Sequence, residues 1–494
     1  MGKKIYIDTD DEKYQYDIHS LFKAFYSNDE VSINVGDQDS RQKDHFRINT
    51  KDGTVIYDEY KDGALLYRQT ETAKGVDTSS YRNIIKRLIY NNLSKKLNKE
   101  LPWGTLTGIR PIKLFMNRLD EGLGDEIIME EIKRSYLVSG ERLSLGLEIA
   151  KRERDILDHL SGAKGYSLYI GIPFCPTTCM YCSFTSFPIS AFRDLADEYI
   201  KALKKEIDYT QKANAENKKI LDTVYIGGGT PTTLEPCQLE DIIGYLREKL
   251  DMSSVKEFTV EAGRPDSITK EKLDVLKKTG VTRISINPQT MNEKTLKIIG
   301  RAHTERQVHE AFYLAREAGF DNINTDLIIG LPGEGTDELE YTFDEIRGLN
   351  PESLTVHSMA VKRAARMHEY LSAHPEIKSE NTPEMIDLSE RRAREMGLLP
   401  YYLYRQKNMA GNYENTGYAL KGHYGLYNIL IMEEVQSIVA LGAGTVTKRV
   451  YADENGNKTG LIERCDNVKD VKLYIEKIDE MIERKRRLFD SAGS

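Results

Sequence analysis

The chain has 494 residues, a formal net charge of −8, 39% hydrophobic residues and 30% charged ones. That length leaves room for roughly two to four domains, and the acidic balance argues against nucleic acid as a partner. No window approaches the roughly 18 consecutive apolar residues of a membrane helix, so no membrane span is expected.

The first stretch, MGKKIYIDTDDEKYQYD, has no apolar segment or small-residue cleavage site and does not read as a signal peptide. Residues 1–100 read as a small α+β domain. KKIYID and FRINTKDGTVIYDEYKDGALLYRQT alternate apolar and polar residues around two KDG turns, which predicts a β-meander. TSSYRNIIKRLIYNNLSKKL then places Ile84, Ile85, Leu88, Ile89 and Leu93 on one helical face. Residues 101–164 read as a helical bridge, with helices around 125–137 and 140–160. The only tryptophan, Trp103, stands in a Gly/Pro-punctuated stretch and is expected as a packed anchor between domains.

From residue 165 the pattern becomes strand, loop, helix, repeated. Strands are expected at 167–174, 223–228, 257–262, 283–288, 323–331 and 353–359, with helices near 191–213, 237–250, 269–279, 305–318 and 336–347. Such alternation means βαβ units and a parallel sheet, here a partial (β/α)6 barrel over residues 165–360. Chemistry in such folds sits at the C-terminal ends of the strands. Residues 361–494 read as a mixed C-terminal, substrate-side domain, ending in one amphipathic helix whose charged face is expected in water.

Five cysteines with three clustered argue for a reducing, cytoplasmic setting and against a disulfide framework. Cys175, Cys179 and Cys182 are spaced Cys-x3-Cys-x2-Cys directly after the first barrel strand. Thiolates bind soft metals, and a cubane iron–sulfur cluster takes one cysteine per iron. Three on one loop can hold a [4Fe–4S] cluster with one iron left open. A structural zinc site wants four closed ligands, and no fourth Cys or His is nearby in sequence.

The segment CPTTCMYC resembles the signature of the radical S-adenosylmethionine (SAM) enzymes. In that family the open iron chelates the amino and carboxylate groups of SAM. One electron then cleaves the sulfur–C5′ bond to give a 5′-deoxyadenosyl radical. The resemblance implies a [4Fe–4S] cluster on Cys175, Cys179 and Cys182, with Tyr169 and Tyr181 as neighbouring aromatics. In VYIGGGTPT it implies that the backbone of Gly228, Gly229 and Thr230 holds the SAM amino group. Read from the residues alone, this stretch is equally a tight strand-to-helix turn. In FTVEAGRPDSIT, Glu261 ends the third strand, Arg264 follows, and the resemblance places Glu261 against SAM. In RISINPQT the row Arg283, Ser285, Asn287 and Gln289 shares one face of a strand, and Gln289 is the family position. Arg301 matches an arginine on the SAM carboxylate, a role that suits its planar fork. Asp326 interrupts an apolar strand, so burial demands a partner; the family match is an aspartate on the ribose hydroxyls.

The order IPFCxxxCxYCxF, GGGTP, DLIxGLPG, LGAG is similar to the oxygen-independent coproporphyrinogen III oxidase-like group, closest to its HemZ-type branch. That implies oxidative decarboxylation of coproporphyrinogen III propionates to vinyls in haem biosynthesis, with flavodoxin or ferredoxin as electron donor. The alternative is a haem chaperone, with His357, His423 or a tyrosine as axial ligand. The oxidase carries a fourth cysteine where Phe184 stands, and many relatives carry His where Gly171 stands. Lys362, Arg363, Arg366, Arg405 and Lys407 are the cations available for substrate carboxylates.

Overall fold

The computed structural model describes residues 3–27, 29–36, 43–51, 53–73, 75–359, 366–406, 413–453, 456 and 458–490. The N-terminal sheet runs in the order Glu30–Val35, Lys4–Thr9, His45–Asn49, Thr54–Lys61, Ala64–Thr72. Its last three strands form the expected antiparallel meander. A helix over Gln15–Phe25 and the parallel strand Glu30–Val35 were not anticipated. The helix was legible: Ile18, Leu21, Phe22 and Phe25 recur at helical spacing, and all four are buried. The helix Thr78–Leu97 starts on the Asp77 side chain, which accepts from Ser79 and Ser80 N–H. It buries Ile85, Leu88, Ile89 and Leu93 against this sheet's core.

Trp103 is fully buried in a helical core with Phe115, Ile128, Leu143 and Ile149, to which Leu403 contributes from far along the chain. Its Nε1 donates to Glu414 Oε2 at 2.7 Å. Arg142 Nε lies 2.8 Å from the other carboxylate oxygen. One buried carboxylate thus ties the bridge to the C-terminal strands.

Six parallel strands then stand side by side in chain order: Gly165–Ile172, Ile220–Gly228, Glu257–Gly263, Arg283–Ile286, Ile323–Ile329 and Ser353–Ser358. Helices Ala196–Glu216, Pro236–Lys249, Lys270–Lys278, Glu305–Glu317 and Thr336–Leu349 connect them. The outward-facing Leu168, Ile170, Val224, Ile226, Phe258 and Val260 pack under these helices in the largest apolar core. Alternation puts the other residues of each strand in the lumen. The sheet extends past the sixth strand by Asn415–Ala419 and Leu399–Tyr404, both antiparallel in sequence. Past the first strand it adds Ser437–Leu441 in parallel, then Val446–Ala452 and Lys458–Asp466. The two outer strands do not meet, so the barrel is open.

The C-terminal helix differs from expectation. It is two helices, Val471–Glu476 and Ile478–Asp490. Its charged face is not wholly solvated, because Lys485 is fully buried against Glu206. Glu206 also accepts from Asn467 Nδ2, Gly442 N and the Tyr474 hydroxyl. A buried ion pair needs such added bonds to offset desolvation. No helix among the described residues is long and apolar enough to cross a membrane.

Candidate functional site

The first barrel strand ends at Ile172, and Phe174–Cys175 then pairs with Phe187–Pro188 in a separate two-stranded sheet at the root of the cysteine loop. Cys175 is buried, while Cys179 and Cys182 are partly exposed, and all three are unpaired thiols. Burial pushes the Cys175 thiol up to about 11, opposed by the Thr230 hydroxyl, which donates to its sulfur at 3.5 Å. Burial also raises Cys182. The loop is anchored where it passes its neighbours. Met180 N donates to Ile299 O at 3.0 Å, and Thr177 Oγ1 to Gly300 O at 3.3 Å.

The glycine stretch ends the second strand beside the root of this loop. Gly229 N donates to Ile172 O and Thr230 N to Phe174 O, each at 2.7 Å. A Cβ on Gly229 would lie 2.5 Å from Phe174 O, so two chain segments in close passage already require glycine there.

The lumen mouth gathers the other expected residues. Glu261 accepts a hydrogen bond from the Tyr225 hydroxyl at 2.7 Å. Burial lifts its carboxyl to about 7, with Asp326 adding to the rise and Tyr225 and Arg283 opposing it. Tyr169, Tyr225 and Tyr427 form a three-ring cluster, with ring distances of 6.0, 4.6 and 5.9 Å. Arg301 is buried and donates to Tyr181 OH at 3.2 Å and to Asn287 O at 2.6 Å. The fourth strand stops at Ile286, so Asn287 and Gln289 lie beyond it. Gln289 takes a left-handed φ of 71°, a conformation that costs a non-glycine residue. Its buried Oε1 has no partner within the protein. Asp326 is less enclosed than expected, its side chain keeping 23% exposure. Its partners come from the chain itself: Asn324 Nδ2 donates at 2.7 Å, and His357 Nε2 lies 3.7 Å away. Burial alone would raise this carboxyl, yet His357 and Asn324 hold it below its ordinary value.

The sequence did not single out Tyr225, Tyr404 or Tyr427, and mentioned Arg264 only in passing. The even spacing of Tyr225 and Gly227 along one strand was the available signal. Of the proposed substrate cations, Lys362, Arg363 and Lys407 lie outside the described residues. Arg366 is engaged by Thr178 O and Oγ1. Arg405 is buried and donates to Leu106 O, so it braces the bridge. Nδ1 of His357 meets the Tyr404 hydroxyl at 3.2 Å, and its Nε2 lies 3.7 Å from Asp326 Oδ2. His423 Nδ1 is buried with no partner. Gly171 has a packing reason: a Cβ there would sit 2.6 Å from Thr445 Cγ2. Phe184 is 74% exposed and has no such constraint. A cavity of about 280 Å³ beside His159, Glu257, Thr282 and Asn322 lies at the opposite pole of the barrel.

An open parallel barrel with three thiols at the C-terminal end of its first strand defines a protein class. Residues 169–346 match the model of the Radical SAM superfamily. Over 406 residues the chain is 40% identical to the oxygen-independent coproporphyrinogen-III oxidase-like protein HemZ of Bacillus subtilis, covering 82% of this chain and 80% of that one. It is also 40% identical over 197 residues to the heme chaperone HemW of Bacillus subtilis, 40% of this chain and 51% of that one. Identity to the oxygen-independent coproporphyrinogen III oxidase of Escherichia coli is 31% over 194 residues, 39% of this chain and 42% of that one. The chain belongs to the radical SAM superfamily, in its oxygen-independent coproporphyrinogen-III oxidase-like group.

The cofactors of this family are a [4Fe–4S] cluster and SAM, and the residues present fit them. Among the described residues, the only three-ligand group with its atoms within 4.8 Å is Glu305, His309 and Glu345. The three thiols are therefore spread wider than the ~3.8 Å that tetrahedral zinc–sulfur bonds impose. The buried, unpartnered Gln289 Oε1 is a further position that a ligand would satisfy.

Proposed function

We propose that this chain is a radical SAM oxidoreductase that converts propionates of coproporphyrinogen III to vinyls without oxygen. The observation that carries it is the three-thiol loop after the first barrel strand, tied to the barrel by Thr230 on Cys175 and by Arg301 on Tyr181. The 40% identity to a coproporphyrinogen-III oxidase-like relative across most of both chains supports the substrate class.

When bound, the cluster and SAM supply a 5′-deoxyadenosyl radical that removes one hydrogen atom from the propionate β-carbon. The substrate then loses CO2 and passes one electron to a one-electron acceptor, leaving the vinyl group. Cys175, Cys179 and Cys182 hold three irons. Thr230 keeps its hydroxyl on the most buried of these sulfurs. Arg301 receives the SAM carboxylate through its guanidinium fork, with Tyr181 and Asn287 fixing that side chain. Glu261 and the backbone of Gly228, Gly229 and Thr230 would receive the SAM amino group, and Gln289, whose buried Oε1 lacks a partner among the described residues, would contribute to the same site. Asp326, oriented by Asn324 and His357, takes the ribose hydroxyls. Tyr169, Tyr225 and Tyr427 wall the lumen beneath. The division at residues 100, 164 and 360, a flavodoxin or ferredoxin donor and a cytoplasmic setting belong to the same proposal; five free cysteines support the setting.

The test is anaerobic incubation of the reconstituted protein with SAM, dithionite and coproporphyrinogen III. Formation of 5′-deoxyadenosine together with protoporphyrinogen IX is the expected result. Tight stoichiometric haem binding with neither product would replace the enzyme with a chaperone.

A further inference from the structure

Loops that carry metal ligands need something else to hold them when the metal is absent, because the ligand bonds that would order them are missing. The span between Cys175 and Cys179 is Pro176, Thr177 and Thr178, small side chains of which none is fully buried. What holds them is a side chain from the third strand-to-helix turn. Arg264 is 3% exposed, although arginine is almost never buried without partners. Its Nε and Nη2 grip Asp266 Oδ1 and Oδ2 at 2.9 and 2.6 Å. Its Nη1 donates to Thr177 O at 3.0 Å and to Thr177 Oγ1 at 2.7 Å.

The geometry is directional. Two of the guanidinium nitrogens are used up in a bidentate grip that fixes the plane of the fork. The third is thereby aimed at one residue of the loop. Thr177 passes the restraint on to Gly300 O, next to Arg301. Arg366 holds the adjacent Thr178, but it is exposed, so its contribution is small.

We infer that Arg264 is the positioning residue of the cysteine loop: it pre-forms the Cys175–Cys179 span and sets how long the cluster is retained. This rests on Cys175, Cys179 and Cys182 being the cluster ligands. Among the described residues of the cysteine loop, Thr177 is the one that Arg264 hydrogen-bonds, and its charge also favours the Cys175 thiolate.

The experiment compares reconstituted wild type with R264Q, T177V, the double variant and R366Q. The readouts are the half-life of protein-bound iron under an excess of chelator and, in metal-free protein, amide exchange over residues 175–182. Losing a buried charge-assisted contact should shorten the iron half-life roughly tenfold or more in R264Q. T177V, which leaves no charge unpaired, should shift it the same way by less, and R366Q should stay within about twofold of wild type. The double variant should lose less than the two single effects combined, since R264Q and T177V share the loss of the Nη1–Oγ1 contact. Faster loop exchange in metal-free R264Q and T177V, with unchanged exchange in the barrel strands, supports the mount. Equal iron half-lives and equal loop exchange in wild type and T177V overturn it, whatever R264Q does to folding. Failure of wild type to bind iron at all overturns the ligand assignment instead.

Discussion

Glu261 offers a test that needs no cofactor. Its carboxyl is shifted from 4.5 to about 7, chiefly by burial. A folded pKa above the unfolded one means that the folded chain holds the proton more tightly. The group's contribution is therefore fully present below pH 4.5 and is lost as pH rises through 7. At about 1.36 kcal/mol per decade, the penalty is about 1 kcal/mol at pH 5.5 and about 3 kcal/mol at pH 8. Glu261→Gln keeps an acceptor for the Tyr225 hydroxyl and removes the titration. Metal-free E261Q should therefore melt above wild type, and the gap should widen by about 2 kcal/mol, or about 2 °C for a chain of this length, between those pH values. Paired thermal melts of the two proteins across this range measure it. Tyr225→Phe removes a bond that holds the carboxyl down, so its midpoint should move above that of wild type. A wild type–E261Q gap that does not change with pH would refute the reasoning, because burial would then not be penalising a charge.

Three further outcomes follow from packing. Gly229→Ala pushes a Cβ to 2.5 Å from Phe174 O and 2.9 Å from Ile172 O, so the root of the cysteine loop must shift. Iron content after reconstitution should fall and stability should drop by about 2 kcal/mol or more; full iron loading would contradict it. Lys485→Met leaves Glu206 buried without its cation and should cost about 3–5 kcal/mol in a thermal or denaturant melt; a loss under about 1 kcal/mol would contradict it. Trp103→Phe should cost about 1–3 kcal/mol by leaving Glu414 one bond short. As the only tryptophan, Trp103 should emit in the blue and shift to the red only when the bridge leaves the C-terminal strands, read by fluorescence against denaturant.

Periodicity is local, and what it encodes was legible. The six barrel strands and five connecting helices stand within a few residues of their expected places, because apolar runs bounded by turns define them within short windows. The meander and the helix from Thr78 were readable for the same reason. The spacing Cys-x3-Cys-x2-Cys likewise lies within one loop, and it named the chemistry by itself. What the chain order could not express is which distant side chain completes each feature. Trp103 is matched by Glu414, 311 residues on, and Arg264 by Thr177, 87 residues back. Gly171 is explained by Thr445 and Lys485 by Glu206, pairs that meet only because the sheet adds a late strand beside its first. Asp326 read as enclosed because its neighbours are apolar; lumen-facing alternation leaves it partly open beside His357. Sequence determined the strands, the helices and the thiol loop, whose signals are short-range. Only the closure of the sheet decided which carboxylates, arginines and tyrosines stand around that loop, because their partners are set by register and curvature.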